Sequence, residues 1–317
     1  DYVQLAITLA FMVGAIEITI GLFRLGALVN FISHSVVIGF TAGAGILIAA
    51  NQVRNFFGLP VPQGATFHDV AVFLVEHIGD ISPAVTAVGA VTLVSGVLAR
   101  RLLPRIPHMI VAILAGSLVA LVLDLGFDAS IATVGALPSH PPPLSAPSFS
   151  MQVMRDLAPT ALAVTLFALT EALSISRALA VRSGQHINSN QEFIGQGLSN
   201  IAGSFFSSYV ATGSFNRSGL NYDAGAKTPV AAMIGGAALL VIVVLVAPFA
   251  AYLPDAAMAG ILFLVAWGLI DFKHIAQVAR ASRSETAVLA VTFLATLFLP
   301  LELAIFVKDF LEYLHRE

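Results

Sequence analysis

A row of apolar stretches constrains this chain more than any other feature. Ten of them follow one another, at 3–23, 36–50, 83–99, 107–123, 157–176, 190–209, 228–251, 256–270, 286–301 and 302–314. A helix needs about 20 mainly apolar residues to cross a bilayer, and lipid offers no partner to an open backbone N–H or C=O. The stretches therefore predict an all-α polytopic membrane protein with the lipid bilayer as its surroundings. Composition agrees: of the 317 residues, 58% are hydrophobic and only 10% are charged, and mean hydropathy is +0.91. A soluble domain carries about 25% charged residues, so a soluble or disordered chain is excluded. A net charge of −3 argues against nucleic acid as a partner. The chain has no cysteine, which excludes disulfides, thiolate metal sites and thiol nucleophiles.

The segments between the spans have their own character. The stretch 66–79, TFHDVAVFLVEHIG, mixes apolar and charged positions at helical spacing and predicts an interfacial helix. Segment 124–150 holds most of the irregular chain, and its prolines predict an extended external loop. Segment 213–226 is too short and too polar to cross alone. If successive loops alternate sides, with 213–226 counted as one crossing, 12 of the 15 Lys and Arg fall on one side. Arg54 and Arg155 fall on the other, and Arg217 lies within the short segment. The basic side is then cytoplasmic, and the loop with Asp124 and Asp128 faces outward.

Ionisable residues inside spans are costly and mark functional candidates. Glu171 sits in the middle of the span LFALTEALSIS, where a carboxylate can line a water-filled cavity and take up a proton. The blander alternative is a structural glutamate held by the nearby Ser174 and Ser176 hydroxyls or by a basic residue. The second candidate is residues 212–221, TGSFNRSGLN. Thr212 is read as the N-cap, with Ser214 just inside the helix start. A helix N-terminus presents open N–H donors to an anion, and Arg217 adds a full charge about one turn in. Broken helices of this kind hold anions in many secondary transporters. The alternative is a polar loop whose Arg217 snorkels to water.

Other positions read as structural. Glu17 is expected to pair with Arg24. Glu302 and His34 lie at helix ends, and Lys227 anchors the basic side. Gly39, Gly43 and Gly45, and the GGAA run at 235–238, predict close helix packing. An intramembrane enzyme would need a nucleophile–base pair or a metal cluster at depth. The chain has no HExxH and no GxSxG, and its eight histidines are scattered. No enzyme, metal or cofactor is therefore expected.

Three runs carry a resemblance. GLFRLGALVNFISHSVVIGFTAGAGILIAANQVRNFFG, LTEALSISRALA and NQEFIGQGLSNIAGSFFSSYVATGSFNRSGLNYDAGAKTPVA stand in the order found in the SulP anion transporters. This family includes sulfate permeases, bicarbonate transporters and prestin, and the chain resembles it from about residue 1 to residue 305. The resemblance implies a fold of fourteen membrane segments in two inverted repeats of seven. A core domain rocks against a gate domain, and the anion sits between the N-termini of two half-helices. Matched to that pattern, 1–24 and 151–252 are core pieces, and 30–123 and 253–317 are gate pieces. The first three segments and a cytoplasmic STAS domain are then missing from this chain. Ser214, Phe215, Asn216, Arg217 and Ser218 fall on the anion-binding start of the tenth segment. Glu171 falls on the acidic position of the eighth, linked in the family to coupling with H⁺ or Na⁺. The closing run KDFLEYLHRE departs from the family's apolar last segment. What the resemblance implies is a homodimeric secondary active transporter in a cell membrane, a bacterial inner membrane by preference. It moves a small anion, sulfate with a proton as first choice. Bicarbonate, a dicarboxylate, a nucleobase permease of the same fold and an anion channel are the alternatives.

Overall fold

The computed structural model describes residues 2–25, 34–62, 64–103, 105–127, 129–135 and 141–298. Among them the regular structure is helical, and a lone bridge joins Thr133 to Pro254. Twelve α-helices follow in order: α1 (Tyr2–Leu22), α2 (His34–Phe57), α3 (Phe67–Glu76), α4 (Pro83–Leu102), α5 (His108–Phe127), α6 (Met151–Ser183), α7 (Ser189–Ser204), α8 (Phe215–Asp223), α9 (Val230–Ala250), α10 (Asp255–Leu269), α11 (Phe272–Ala281) and α12 (Arg283–Phe298). Among the described residues seven segments are long and apolar enough to cross a membrane: α1, α2, α4, α5, α6, α9, and α10 together with α11.

Most expected spans lie within a few residues of a helix. The expected span 190–209 is instead a 16-residue helix, α7, whose run of Ser, Asn, Gln and Gly is too short and polar to cross. Helix α12 is also described over only 16 residues. The expected span 256–270 ends as α10, and the chain then breaks and restarts as the unforeseen α11. There Asp271 caps the new helix through the His274 N–H at 3.0 Å. The expected span 302–314, Glu302 and the KDFLEYLHRE run lie outside the described residues, as do Asp128 and the side chain of His34.

The chain divides into two compact units. The first comprises residues 1–37 and 140–244. Its centre is the seam between α1 and α7. On α1 the buried residues Ile7, Ala10, Gly14, Glu17 and Gly21 form one stripe at alternating spacings of three and four. On α7 the buried residues Phe193, Gly197, Asn200 and Ser204 do the same. The glycines bring backbone against backbone: a Cβ on Gly14 would lie 2.6 Å from the Gly197 carbonyl oxygen, and one on Gly197 would lie 2.5 Å from that of Gly14. Helix α6 packs on the other side of α1, where Met12, Val13 and Ala161 are buried together. Residues 141–150, before α6, carry no regular structure but are tied down. Gln4 donates to the Ala146 carbonyl, Thr8 accepts from the Ser148 N–H, and the Ser145 hydroxyl donates to the Ser204 carbonyl.

The second unit comprises residues 38–139 and 245–317. The expected close packing of α2 is present there. A Cβ on Gly39 would meet the Leu289 carbonyl of α12, and one on Gly45 the Ala266 carbonyl of α10. Helices α4, α5 and α10 share a core of Val88, Ala120, Ala256 and Ala257. Helix α3 stands close to its expected place and sets Val70 against Val53, Leu59 and Val61.

Candidate functional site

The candidate site is built at the start of α8, in the first unit. Residue 211 leads into it and is held at both its polar groups by α7. The Asn200 Oδ1 accepts from the Ala211 N–H at 2.8 Å, and the Gln196 Nε2 donates to the Ala211 carbonyl at 2.7 Å. Asn200 and Gln196 are four residues apart, so one face of α7 presents both amides. The next residue turns to α6, where the Thr212 hydroxyl donates to the Ala168 carbonyl at 3.1 Å. Gly213 then passes close to α6: a Cβ there would lie 2.9 Å from the Ile175 side chain. The path is narrow, and it explains why the expected cap moves. Thr212 is committed to α6, so Ser214 is the N-cap, with extended backbone and its Oγ accepting from the Arg217 N–H at 3.5 Å.

The first turn of α8 follows at once. The Ser218 N–H closes it onto the Ser214 carbonyl at 2.9 Å. The N–H groups of the first two helical residues, Phe215 and Asn216, have no intrahelical acceptor. Together with the helix dipole they form a positive end. Arg217 is the third helical residue and is exposed. Ser214, Arg217 and Ser218 line a cavity of about 590 Å³ with Thr212, Gly213 and Asn221 of the same segment. Its far wall comes from α9, including Gly235 and Gly236. These two glycines do not mediate the close packing expected of them: nothing described lies within 4 Å of a Cβ built on either. They leave the cavity open on that side instead. The side chains of Phe215 and Asn216 lie outside the described residues.

Glu171 lies half-buried on α6, one residue from Ala172 and three from Ala168, so it is near the surface on which the α8 entrance rests. It does not line the cavity described above. The hydroxyls expected to hold it point elsewhere. Ser174 Oγ donates to the Thr170 carbonyl at 2.8 Å, and Ser176 Oγ donates to Glu192 at 3.1 Å. Among the described residues no hydrogen bond reaches the Glu171 carboxylate.

The expected Glu17–Arg24 pair is not formed. Arg24 lies beyond the end of α1, exposed and at φ 56°. Glu17 is fully buried and accepts instead from the Asn200 Nδ2 at 2.9 Å. Asn200 and Gln196 were not singled out by the sequence. Their signal was present in the run NQEFIGQGLSN: two amides one turn apart on a small-residue helix that is otherwise poor membrane material.

Comparison with known proteins adds to this geometry. The model of the sulfate permease family matches residues 1–292. The Bacillus subtilis (strain 168) protein YvdB is 32% identical over 293 residues, which cover 92% of this chain and 55% of that protein. The chloroplastic sulfate transporter 4.1 of Arabidopsis thaliana is 31% identical, over 96% of this chain and 45% of its own length. The chain thus spans about half the length of these relatives. Two solved structures share the fold. Murine Solute Carrier 26 family member A9, an anion transporter in the inward-facing state, superposes with a TM-score of 0.87 at 22% identity, over 99% of this chain and 53% of that one. The transmembrane domain of the cyanobacterial bicarbonate transporter BicA gives 0.83 at 24% identity, over 96% of this chain and 76% of that one.

Proposed function

The chain belongs to the sulfate permease family, and from that premise we propose that it binds a small inorganic anion at the start of α8 as part of a secondary active transporter. The observation that carries this reading is the Ser214-capped helix start, which opens with Arg217 onto a cavity of about 590 Å³. That volume is in the range of small-molecule sites. The first-turn N–H groups and the guanidinium supply donors and positive charge, and no acid from the same turn competes for them. Sulfate is the first substrate, because relatives at about 30% identity are named for sulfate transport.

In this reading the first unit is the core that carries the anion and the second is the gate, and the core rocks against the gate during transport. Glu171 takes up the coupling proton. An anion beside an ionised carboxylate meets repulsion that a low-dielectric site screens poorly. A proton on Glu171 removes that repulsion, so proton and anion favour each other's binding. The working protein is a homodimer in a cell membrane, with the basic loops on the cytoplasmic side. No catalytic chemistry is assigned to it.

The test is uptake of labelled sulfate by the complete natural protein in proteoliposomes, with bicarbonate, a dicarboxylate and uracil as competitors. Saturable uptake driven by a proton gradient and unaffected by uracil is expected. Competition by uracil without sulfate uptake would assign the cavity to a nucleobase. Sulfate flux that no ion gradient can concentrate would make the protein a channel.

A further inference from the structure

We propose that Glu17 is a positioning residue for the anion site: through Asn200 it fixes the peptide that leads into the Ser214-capped helix start. The proposal rests on the reading of that start as the anion site. Glu17 sits on the α1 stripe between Gly14 and Gly21 and is 0% exposed. Its Oε2 accepts from Asn200, while its Oε1 is buried with no hydrogen-bond partner among the described residues. A seam that had only to pack would take an apolar residue here, since a buried carboxylate with an unpaired oxygen is costly. The geometry gives the carboxylate a different task.

The Ala211 N–H can only donate, so the Asn200 side chain must turn its oxygen towards it, as it does at 2.8 Å. That choice points the Asn200 amide nitrogen at α1, where it needs an acceptor. Asn200 is itself 2% exposed, so water does not supply one. Glu17 does. With an apolar group at position 17 the Asn200 amide would have no buried partner and no reason to keep this orientation. The consequence reaches the site along a short path. Gln196 holds the carbonyl of the same residue, Thr212 ties the next to α6, and Ser214 caps α8 two residues later. An error in the Ala211 peptide is thus carried straight to the donors of the first turn.

The experiment exchanges donor and acceptor within the chain of bonds, in the complete natural protein. Asn200→Asp sets two carboxyl groups face to face and is expected to raise the KM for labelled sulfate roughly tenfold. Glu17→Gln keeps an acceptor for Asn200 and is expected to stay within about twofold of wild type. The double variant Glu17→Gln/Asn200→Asp rebuilds the bond with its polarity reversed: the new amide donates to the new carboxylate, which still accepts from Ala211. Its KM is expected to return close to wild type. Thermal midpoints in detergent are measured alongside. A KM unmoved by Asn200→Asp in folded protein, or a double variant that regains stability but not KM, overturns the proposal. If Asn200→Asp does not fold, Gln196→Leu releases the other polar group of the same residue, and the same rise or its absence is read there. Arg217→Ala is the control for the site itself. If Arg217→Ala leaves KM unchanged, the site reading falls and this proposal with it. If Arg217→Ala raises KM while the 200 and 196 variants do not, only the role of Glu17 falls.

Discussion

The starts of α3 and α8 are near copies of one another in sequence, Thr66-Phe67-His68-Asp69 and Ser214-Phe215-Asn216-Arg217. Each has a hydroxyl N-cap followed by phenylalanine, and in each the cap oxygen accepts from the N–H of the third helical residue. They differ in the charge of that third residue. In α3 the Asp69 carboxylate folds back and accepts from the Thr66 N–H at 3.1 Å and the Thr66 hydroxyl at 2.7 Å, closing a capping box. The helix supplies its own anion, and the Thr66 donors hold the Asp69 carboxyl below its usual range. In α8 the same place carries Arg217, which adds to the positive end instead of neutralising it. One helix start is closed by its own sequence; the other is left open, with a cation where the first has its carboxylate.

Substitution at that third position tests the contrast most directly. Arg217→Asp should let α8 close its own box. It should remove sulfate binding by on the order of 100-fold, since a charge-assisted contact is lost and a competing carboxylate takes its place. Arg217→Ala, which removes the charge without closing the start, should cost roughly tenfold. A folded Arg217→Asp protein with wild-type affinity, measured by equilibrium binding, would sink the anion site.

Glu171→Gln sharpens the comparison from the other side, because it asks what a neutral group beside the open start does. The variant should keep sulfate binding, and strengthen it at high pH, while losing the pH dependence of uptake and proton-driven accumulation. Uptake is measured against imposed proton and sodium gradients in turn. A normal pH profile with accumulation intact makes Glu171 structural.

The smallest effect belongs to the closed start. Because the folded Asp69 carboxyl titrates below its ordinary value of 3.8, its contribution is present above that value. It is lost as pH falls through the lower folded value. Protection of the α3 first-turn amides, corrected for intrinsic exchange, should therefore fall severalfold in strong acid. In Asp69→Asn it should be reduced at every pH, with no acid transition. Equal protection in the two proteins at neutral pH would show that the box adds nothing.

Much of this was legible in the sequence because it is local. Most of the spans, the helix at 67–76 and the donor-rich helix start at 215 follow from hydropathy, spacing and cap chemistry over a few residues. The cap itself was misplaced by two, since Thr212 and Ser214 are equal candidates by chemistry. Only Ala168, 44 residues away, decides between them. Glu17 failed in the same way. A spacing of seven puts Glu17 and Arg24 on one face of an ideal helix, but α1 ends at Leu22, and a partner 183 residues on takes the carboxylate. Helix α11 was missed for a different reason. Its Phe272, Ile275 and Val278 recur on one face, but the basic residues between them read as a cytoplasmic loop when only apolar length is counted.

The glycine seam between α1 and α7 has a mechanical consequence. Where side chains interlock, a helix can shift by trading rotamers. Where two backbones touch, at Gly14 and Gly197, there are no rotamers to trade, and sliding would drive carbonyl oxygens into Cα atoms. The two helices form a single stiff part. Because α7 grips Ala211 by two hydrogen bonds, a force on the entrance of α8 passes into that part as displacement rather than being absorbed as local strain. Spectroscopic labels placed along α1 and α7 should therefore keep a fixed separation through every stage of the working cycle.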